Sequence, residues 1–131
     1  MQVVDLDGNS GEWKVKGKEV TLDKRPRSSL HKTARELLKE RFPTYQILEE
    51  VGVPVKRGIH LYFDFYLPLR KLAIEVHGQQ HYEYNTMFHN SQLDFLKQRR
   101  HDRYKEEWCE ANGIQLIVLP YNEQDSWKEK L

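Results

Sequence analysis

The sequence predicts one α/β domain, a mixed β-sheet flanked by helices with a β-hairpin ahead of it. Short apolar runs at 45–51, 61–67, 72–77 and 114–119 are bounded by Gly, Pro and polar residues, as strands are. Two segments of helical period, 30–41 and 91–112, flank the central runs. The 131 residues suffice for one core and are too few for two ordinary domains.

In chain order, VVDLDG and EWKVKGKEV lie on either side of DGNSGE within residues 2–22, and predict a hairpin that Trp13 pins down. The polar, basic LDKRPRSS is a loop, in which Ser28 or Ser29 can cap the next helix. In helix 30–41, Leu30, Ala34, Leu37 and Leu38 form the buried stripe, leaving Lys32, Arg35 and Lys39 outside and His31 at the edge, in line with Leu38. Phe42 and Pro43 end it, 45–51 is a strand, and VPVKRGIH reads as a loop. Strands 61–67 and 72–77 follow, joined by a turn centred on Leu69 and Arg70; Gly78 ends the second, and QQHYEYNTMFHNS is a polar loop studded with aromatics. The stripe of helix 91–112 is Leu93, Leu96, Tyr104, Trp108 and Ala111, with Gly113 as its stop. The run 114–119 is a buried strand, and 122–131, with Trp127, a short terminal helix. The expected division is 1–27 (hairpin and basic loop), 28–122 (core) and 123–131 (tail).

Composition excludes some classes. With 38% apolar and 31% charged residues and a mean hydropathy of −0.83, no run approaches the roughly 20 apolar residues of a membrane span. The start, MQVVDLDGNSGEW, lacks the basic and apolar regions of a signal peptide, so a cytoplasmic protein is expected. The single cysteine, Cys109, makes no internal disulfide or thiolate cluster and reads as a small buried helix residue. A net charge of +1 does not itself announce a nucleic-acid partner. Basic residues nonetheless crowd 14–41 and 97–105, the latter with Lys97, Arg99, Arg100, Arg103 and Lys105, and so outline a basic footprint.

The chemistry concentrates in LYFDFYLPLRKLAIEVHGQQHY, residues 61–82. Alternation sets Leu61, Phe63, Phe65 and Leu67 on one face of the first run and Tyr62, Asp64 and Tyr66 on the other; in the second, Leu72, Ile74 and Val76 oppose Ala73, Glu75 and His77. A turn at Leu69–Arg70 pairs position 64 with 75 and 62 with 77. Two carboxylates with Cβ atoms about 5 Å apart are destabilising unless a positive charge sits between them. Both lie mid-run in apolar strands, where an unpaired charge is costly, and a divalent cation is the natural occupant.

Four motifs in this order, SLHKTARELL, DFYLP, IEVHGQQH and QRRHDRYKEEW, closed by GIQLIVLPY, resemble the PD-(D/E)XK nuclease superfamily, and more narrowly its Vsr-like branch of very-short-patch mismatch and phage homing endonucleases. The resemblance runs from about residue 29 to 122. It implies an αβββαβ restriction-endonuclease-like core and a metal-dependent DNA endonuclease, of phage homing or nicking type, with DNA as partner and a homodimer if both strands are cut. By the resemblance, Asp64 is the central metal ligand and Glu75 the second acid, with Mg²⁺ or Mn²⁺ as cofactor. His81 stands where such enzymes carry a histidine near the attacking water, Asp102 where a helix-borne acid supports it, and His77 where the wider superfamily has lysine. His31 falls near a position usually filled by glutamate.

Oxygen ligands suit Mg²⁺ or Mn²⁺, and a histidine of ordinary pKa can accept a proton at neutral pH, His81 being the first choice and His77 the second. Arg27, Lys32, Arg35, Arg99, Arg100 and Arg103 are the expected phosphate contacts. Three alternatives stand beside this one: zinc held by His77 and His81, for which the sequence offers no obvious third ligand; an HNH-type nuclease using His89 and Asn90; and a DNA-binding module with a degenerate nuclease fold. Branched or mismatched DNA are further substrates consistent with the resemblance.

Overall fold

A computed structural model describes residues 1–20, 29–87 and 89–131. The loop containing Arg27 and the cap position Ser28 lie outside the described residues. The elements are β1 (Gln2–Val4), β2 (Ser10–Glu12), β3 (Lys18–Glu19), α1 (Ser29–Arg41), β4 (Leu48–Lys56), β5 (Ile59–Leu67), β6 (Leu72–His77), α2 (Gln92–Ala111), β7 (Gln115–Pro120) and α3 (Trp127–Lys130). They form a single mixed α/β domain. Its five-stranded sheet has the order β3-β4-β5-β6-β7, antiparallel up to β6; β7, reached through α2, runs parallel to β6.

The sheet carries an apolar cluster on each face. Leu72 and Ile74 of β6 point with Phe65 and Leu67 toward Ala34, Leu38 and Phe42 of α1 and its C-terminal end, and toward Trp127. Ala73 points the opposite way, with Tyr66, Val51, Val53 and Phe63, toward Trp108 and Cys109 of α2 and Trp13. Trp13 does pin the N-terminal segment: its ring meets Trp108 edge-on at 5.1 Å, and its Nε1 donates to the Gly52 carbonyl at 2.9 Å. Asn112, at the end of α2, holds β1 from the other side, accepting from Val4 N at 2.8 Å and donating to Val4 O at 2.9 Å. Gly113 follows with φ +66, the left-handed stop its position predicts.

Four expectations are corrected. The predicted hairpin is reduced to β1 and β2; from EWKVKGKEV the only further strand is Lys18–Glu19, which joins the edge of the main sheet instead. Gly17 permits that approach, since a Cβ there would lie 2.7 Å from Glu49 O. The strand read as 45–51 is Leu48–Lys56, so VPVK is strand, not loop: Val51, Val53 and Val55 keep alternating inward, and Pro54 is tolerated because the register shifts between Val53 and Lys56. On α2, Leu93 and Leu96 are exposed and only Trp108 and Cys109 are buried, because just the C-terminal part of the helix reaches the core. Finally, the apolar residues of β5 do not share one face. Leu61 and Phe63 join the α2-side cluster while Phe65 and Leu67 join the α1 side, and the switch falls at Asp64. On the neighbouring strand the same interval, between the pairs Glu49–Phe65 and Val51–Phe63, holds Glu50 with φ +52.

Candidate active site and metal centre

The turn joining β5 to β6, Pro68–Arg70, closes with Lys71 in the left-handed region and sets the register Leu67–Leu72, Tyr66–Ala73, Phe65–Ile74. Continued one step, that register faces Asp64 with Glu75, as the sequence predicts. The ladder stops there, however, and 62 does not pair with 77. Asp64 Oδ2 accepts the Val76 N–H at 2.8 Å, so a side chain takes the place of the next backbone bond and the strands part.

Glu75 is buried, its side chain 4% exposed, and lies beside Asp64. Burial, followed by the Asp64 charge, pushes its carboxyl well above the usual carboxylate range; the Lys105 ammonium, which contacts Oε1, pulls the other way. The positive charge expected beside the acid pair is thus Lys105, one turn along α2 from Asp102. Burial likewise pushes the Cys109 thiol up to about 12, leaving it inert as an ordinary core residue.

Where β6 ends, a 3₁₀ turn at Gln79–His81 folds His81 back over His77, their rings stacked at 4.0 Å and 4° from parallel. His81 Nδ1 lies 2.8 Å from Asp102 Oδ2, and His77 Nε2 lies 3.9 Å from Asp102 Oδ1. The other nitrogen of each ring also has a partner: Tyr82 OH at 3.2 Å from His77 Nδ1, and Gln98 Nε2 at 3.4 Å from His81 Nε2. Gln98 Oε1 meets His89 Nε2 at 2.9 Å, and His89 Nδ1 accepts from Asn85 N at 3.1 Å. One proton arrangement links His89 through Gln98 and His81 to Asp102. His89 Nε2–H donates to Gln98, the Gln98 amide to His81 Nε2, and His81 Nδ1–H to Asp102. Burial, with the neighbouring His81 next, lowers the His77 pKa to about 4.

Two cavities meet at His81. One, of about 560 Å³, is lined by His31, Asp64, Glu75, His81, Lys105 and Tyr121. The other, of about 640 Å³, is lined by His77, His81 and Asp102, with Arg99, Arg100 and Arg103. The structure therefore gathers Asp64, Glu75, His77, His81, Asp102 and His31 around one region. His31 enters from α1, its ring 4.6 Å from that of Phe65 and its Nε2 3.4 Å from Glu49 Oε1. Of the expected phosphate contacts, Arg99, Arg100 and Arg103 edge the second cavity and Lys32 is exposed on α1. Arg35 points inward instead, with Nε 2.6 Å and Nη2 3.1 Å from the carboxylate of fully buried Glu49. A stripe defined by apolar residues alone leaves it outside; a buried acid on β4 draws it in. His89, the candidate of the HNH alternative, is buried and occupied by its bonds to Asn85 and Gln98.

Sequence reasoning missed Lys105, Gln98 and Tyr82 as site residues. A signal existed for two of them: Gln98 and Lys105 lie four before and three after Asp102, on one helical face with Phe95 and Cys109. That face is covered, which brings Asp102 into the site.

No family model matches the chain, and no solved structure does. Three viral proteins match part of it. It is 44% identical over 69 residues to Uncharacterized protein 094L of Frog virus 3 (isolate Goorha), covering 52% of this chain and 44% of that protein. It is 36% identical over 64 residues to Uncharacterized protein 033L of Invertebrate iridescent virus 3, covering 49% and 33%. It is 36% identical over 76 residues to Uncharacterized protein 307L of Invertebrate iridescent virus 6, covering 55% and 39%. The chain spans less than half the length of each of these relatives. No helix among the described residues is long and apolar enough to cross a membrane.

Proposed function

We propose that the chain is a metal-dependent DNA endonuclease domain, with Asp64 and Glu75 as the acid pair, His81 as the base and Asp102 as its support. The observation that carries this reading is that the Asp64–Glu75 pair lines one cavity and three arginines edge the next, with the carboxylate-bound His81 at the junction of the two. The acid pair fits a divalent cation: the Glu75 carboxyl resists ionisation next to Asp64, and a second positive charge beside Lys105 would favour its ionised form. All-oxygen ligands favour Mg²⁺ or Mn²⁺. Such an ion, when bound, would supply Lewis-acid polarisation of a phosphodiester oxygen.

The chain's own groups do the rest. His81 Nε2, once the long contact from the Gln98 amide gives way to an attacking water, takes that water's proton, and the imidazolium formed is stabilised by Asp102 at Nδ1. His77 is the weaker base, because a nitrogen held near pKa 4 has little pull on a proton at neutral pH. Arg99, Arg100 and Arg103 meet the phosphates of DNA. Homing-type, nicking, mismatch and branched-DNA activity all remain within this class, as does a homodimer for double-strand cleavage.

Incubation of supercoiled, linear, mismatched and branched DNA with Mg²⁺ or Mn²⁺ tests the proposal. Wild-type protein should cleave at least one of them. The Asp64→Asn/Glu75→Gln variant should bind DNA with undiminished salt sensitivity and leave it intact; cleavage by that variant would refute the assignment. A second reading draws on the Lys105–Glu75 contact, in which a lysine permanently supplies the charge of a lost cation and the domain only binds DNA. Salt-sensitive binding with no cleavage under any divalent metal would favour it.

A further inference from the structure

The structure assigns a second metal site, of a different chemical class, to His77, His81 and Asp102: a site for Zn²⁺ or a similar borderline transition metal, beside the hard all-oxygen pair Asp64 and Glu75. One donor atom from each residue lies within 4.8 Å of the others. Two imidazoles and one carboxylate are a ligand set that zinc takes readily and magnesium does not, since Mg²⁺ prefers oxygen. The sequence alone showed two histidines without a third ligand; α2 supplies it as Asp102, 21 positions beyond His81.

The surroundings are those of a metal site. His77 Nε2 and His81 Nδ1 face the two oxygens of one carboxylate; Tyr82 OH meets the other nitrogen of His77, and the Gln98 amide, flipped to present its oxygen, would accept from His81 Nε2–H once Nδ1 binds the metal. Such bonds orient ligating imidazoles, and Tyr82 and Gln98 have no comparable role in holding the apolar core. The 640 Å³ cavity gives an ion a path to all three ligands. With Zn–N and Zn–O distances of about 2.0–2.2 Å, the donors must draw closer by about an ångström, and one ring must tilt out of the stack. His81, on a one-turn 3₁₀ segment, is the ring placed to do so.

A consequence follows for the proposed nuclease, and it alone rests on that reading. Zinc bound here occupies His81 and Asp102, so it removes the base and its support from the reaction while leaving Asp64 and Glu75 untouched. Zinc would therefore inhibit magnesium-dependent cleavage, not support it.

The test is a Co²⁺ titration of metal-free protein followed by visible absorption, with Zn²⁺ displacement giving the affinity. One equivalent of Co²⁺ per chain should give the intense bands of a four- or five-coordinate nitrogen–oxygen site, and Zn²⁺ should abolish them. His81→Ala and Asp102→Ala should each lose stoichiometric binding. Tyr82→Phe, which leaves every ligand and the core in place, should weaken zinc by about tenfold. Asp64→Asn/Glu75→Gln should bind as wild type does. The site is overturned if wild type takes up no stoichiometric zinc, or if the acid-pair variant loses zinc while His81→Ala keeps it. In the cleavage assay, one equivalent of zinc added over excess Mg²⁺ should suppress wild-type activity at least tenfold. Absence of cleavage without zinc would overturn the nuclease reading and leave the zinc site standing.

Discussion

His77 offers a test of the site's electrostatics that needs no substrate. In the unfolded chain its imidazole titrates at about 6.5; in the fold, burial and the neighbouring His81 hold it near 4. Above pH 6.5 the ring is neutral in both states and contributes no pH dependence. Between pH 6.5 and 4 the unfolded chain takes up a proton that the fold refuses, so stability falls with falling pH, and below about 4 the fall ends. At about 1.4 kcal/mol per tenfold change, the displacement corresponds to roughly 3 kcal/mol; the side chain is 8% exposed, so solvent screening reduces this little. Glu75 works in the opposite sense, its raised pKa favouring the fold as pH falls, so the wild-type curve mixes the two. Urea unfolding of wild type and His77→Asn in chelator, at half-unit steps from pH 7.5 to 4, separates them, because contributions shared by both proteins cancel. The stability advantage of wild type over the variant should shrink by roughly 3 kcal/mol across that range. A difference that stays constant with pH would show that His77 titrates in the fold as it does in solution, and the stacked, buried pair would be refuted.

Three further outcomes follow from the packing. Arg35→Leu removes the bidentate partner of fully buried Glu49 and should cost about 3–5 kcal/mol in chemical denaturation, much of it regained in Arg35→Leu/Glu49→Leu; equal losses in both would mean the pair is not coupled. Trp108 is wholly buried, and its Nε1 has no hydrogen-bond partner among the described residues, so Trp108→Phe should cost under about 2 kcal/mol while Trp108→Ala costs about 3–5, a contrast read from the same denaturation curves. Asn112→Ala removes both bonds to Val4 and should speed hydrogen exchange at the Val4 amide while costing about 1–2 kcal/mol overall.

The part of the fold that was legible in the sequence is the part governed by local pattern. Helix α1 begins within a residue of its expected start, and the turn at Pro68–Arg70 sets the register that brings Asp64 opposite Glu75. What the pattern hid depends on partners distant in sequence. Arg35 turns inward because Glu49 is buried beneath it, and nothing in the helix's own spacing marks that acid as a core residue. Leu93 and Leu96 fit a helical stripe yet stay exposed, because periodicity shows which face is apolar and not how far the neighbouring layer extends. Asp102 lies off the apolar stripe, and what covers its face is polar: Gln98 and Lys105 from its own helix, His81 and Glu75 from the sheet and its following turn. A stripe made of Gln, Asp and Lys is indistinguishable from solvated surface until its partners are known.

The break in the β5–β6 ladder and the meeting of the two acids have a common cause. Because Asp64 Oδ2 takes the Val76 N–H, β6 turns away with its backbone satisfied, and Glu75, the residue before Val76, is left against Lys105 of α2. Asp64 thus has two separable roles, acceptor and charge, and two substitutions divide them. Asn keeps an oxygen for the Val76 N–H and removes the charge, so Asp64→Asn should fold as wild type does and relieve the pressure on the Glu75 carboxyl. Asp64→Ala removes the acceptor as well, leaving a half-buried amide unpaired at a cost of about 1–3 kcal/mol. If Mg²⁺ binding by calorimetry is lost in both while denaturation separates them by that margin, the charge is what the site uses and the hydrogen bond is what the fold uses. Equal stability of the two variants would show that the ladder breaks there for another reason, and the face switch between Phe63 and Phe65 would then have to originate on the β4 side, at Glu50.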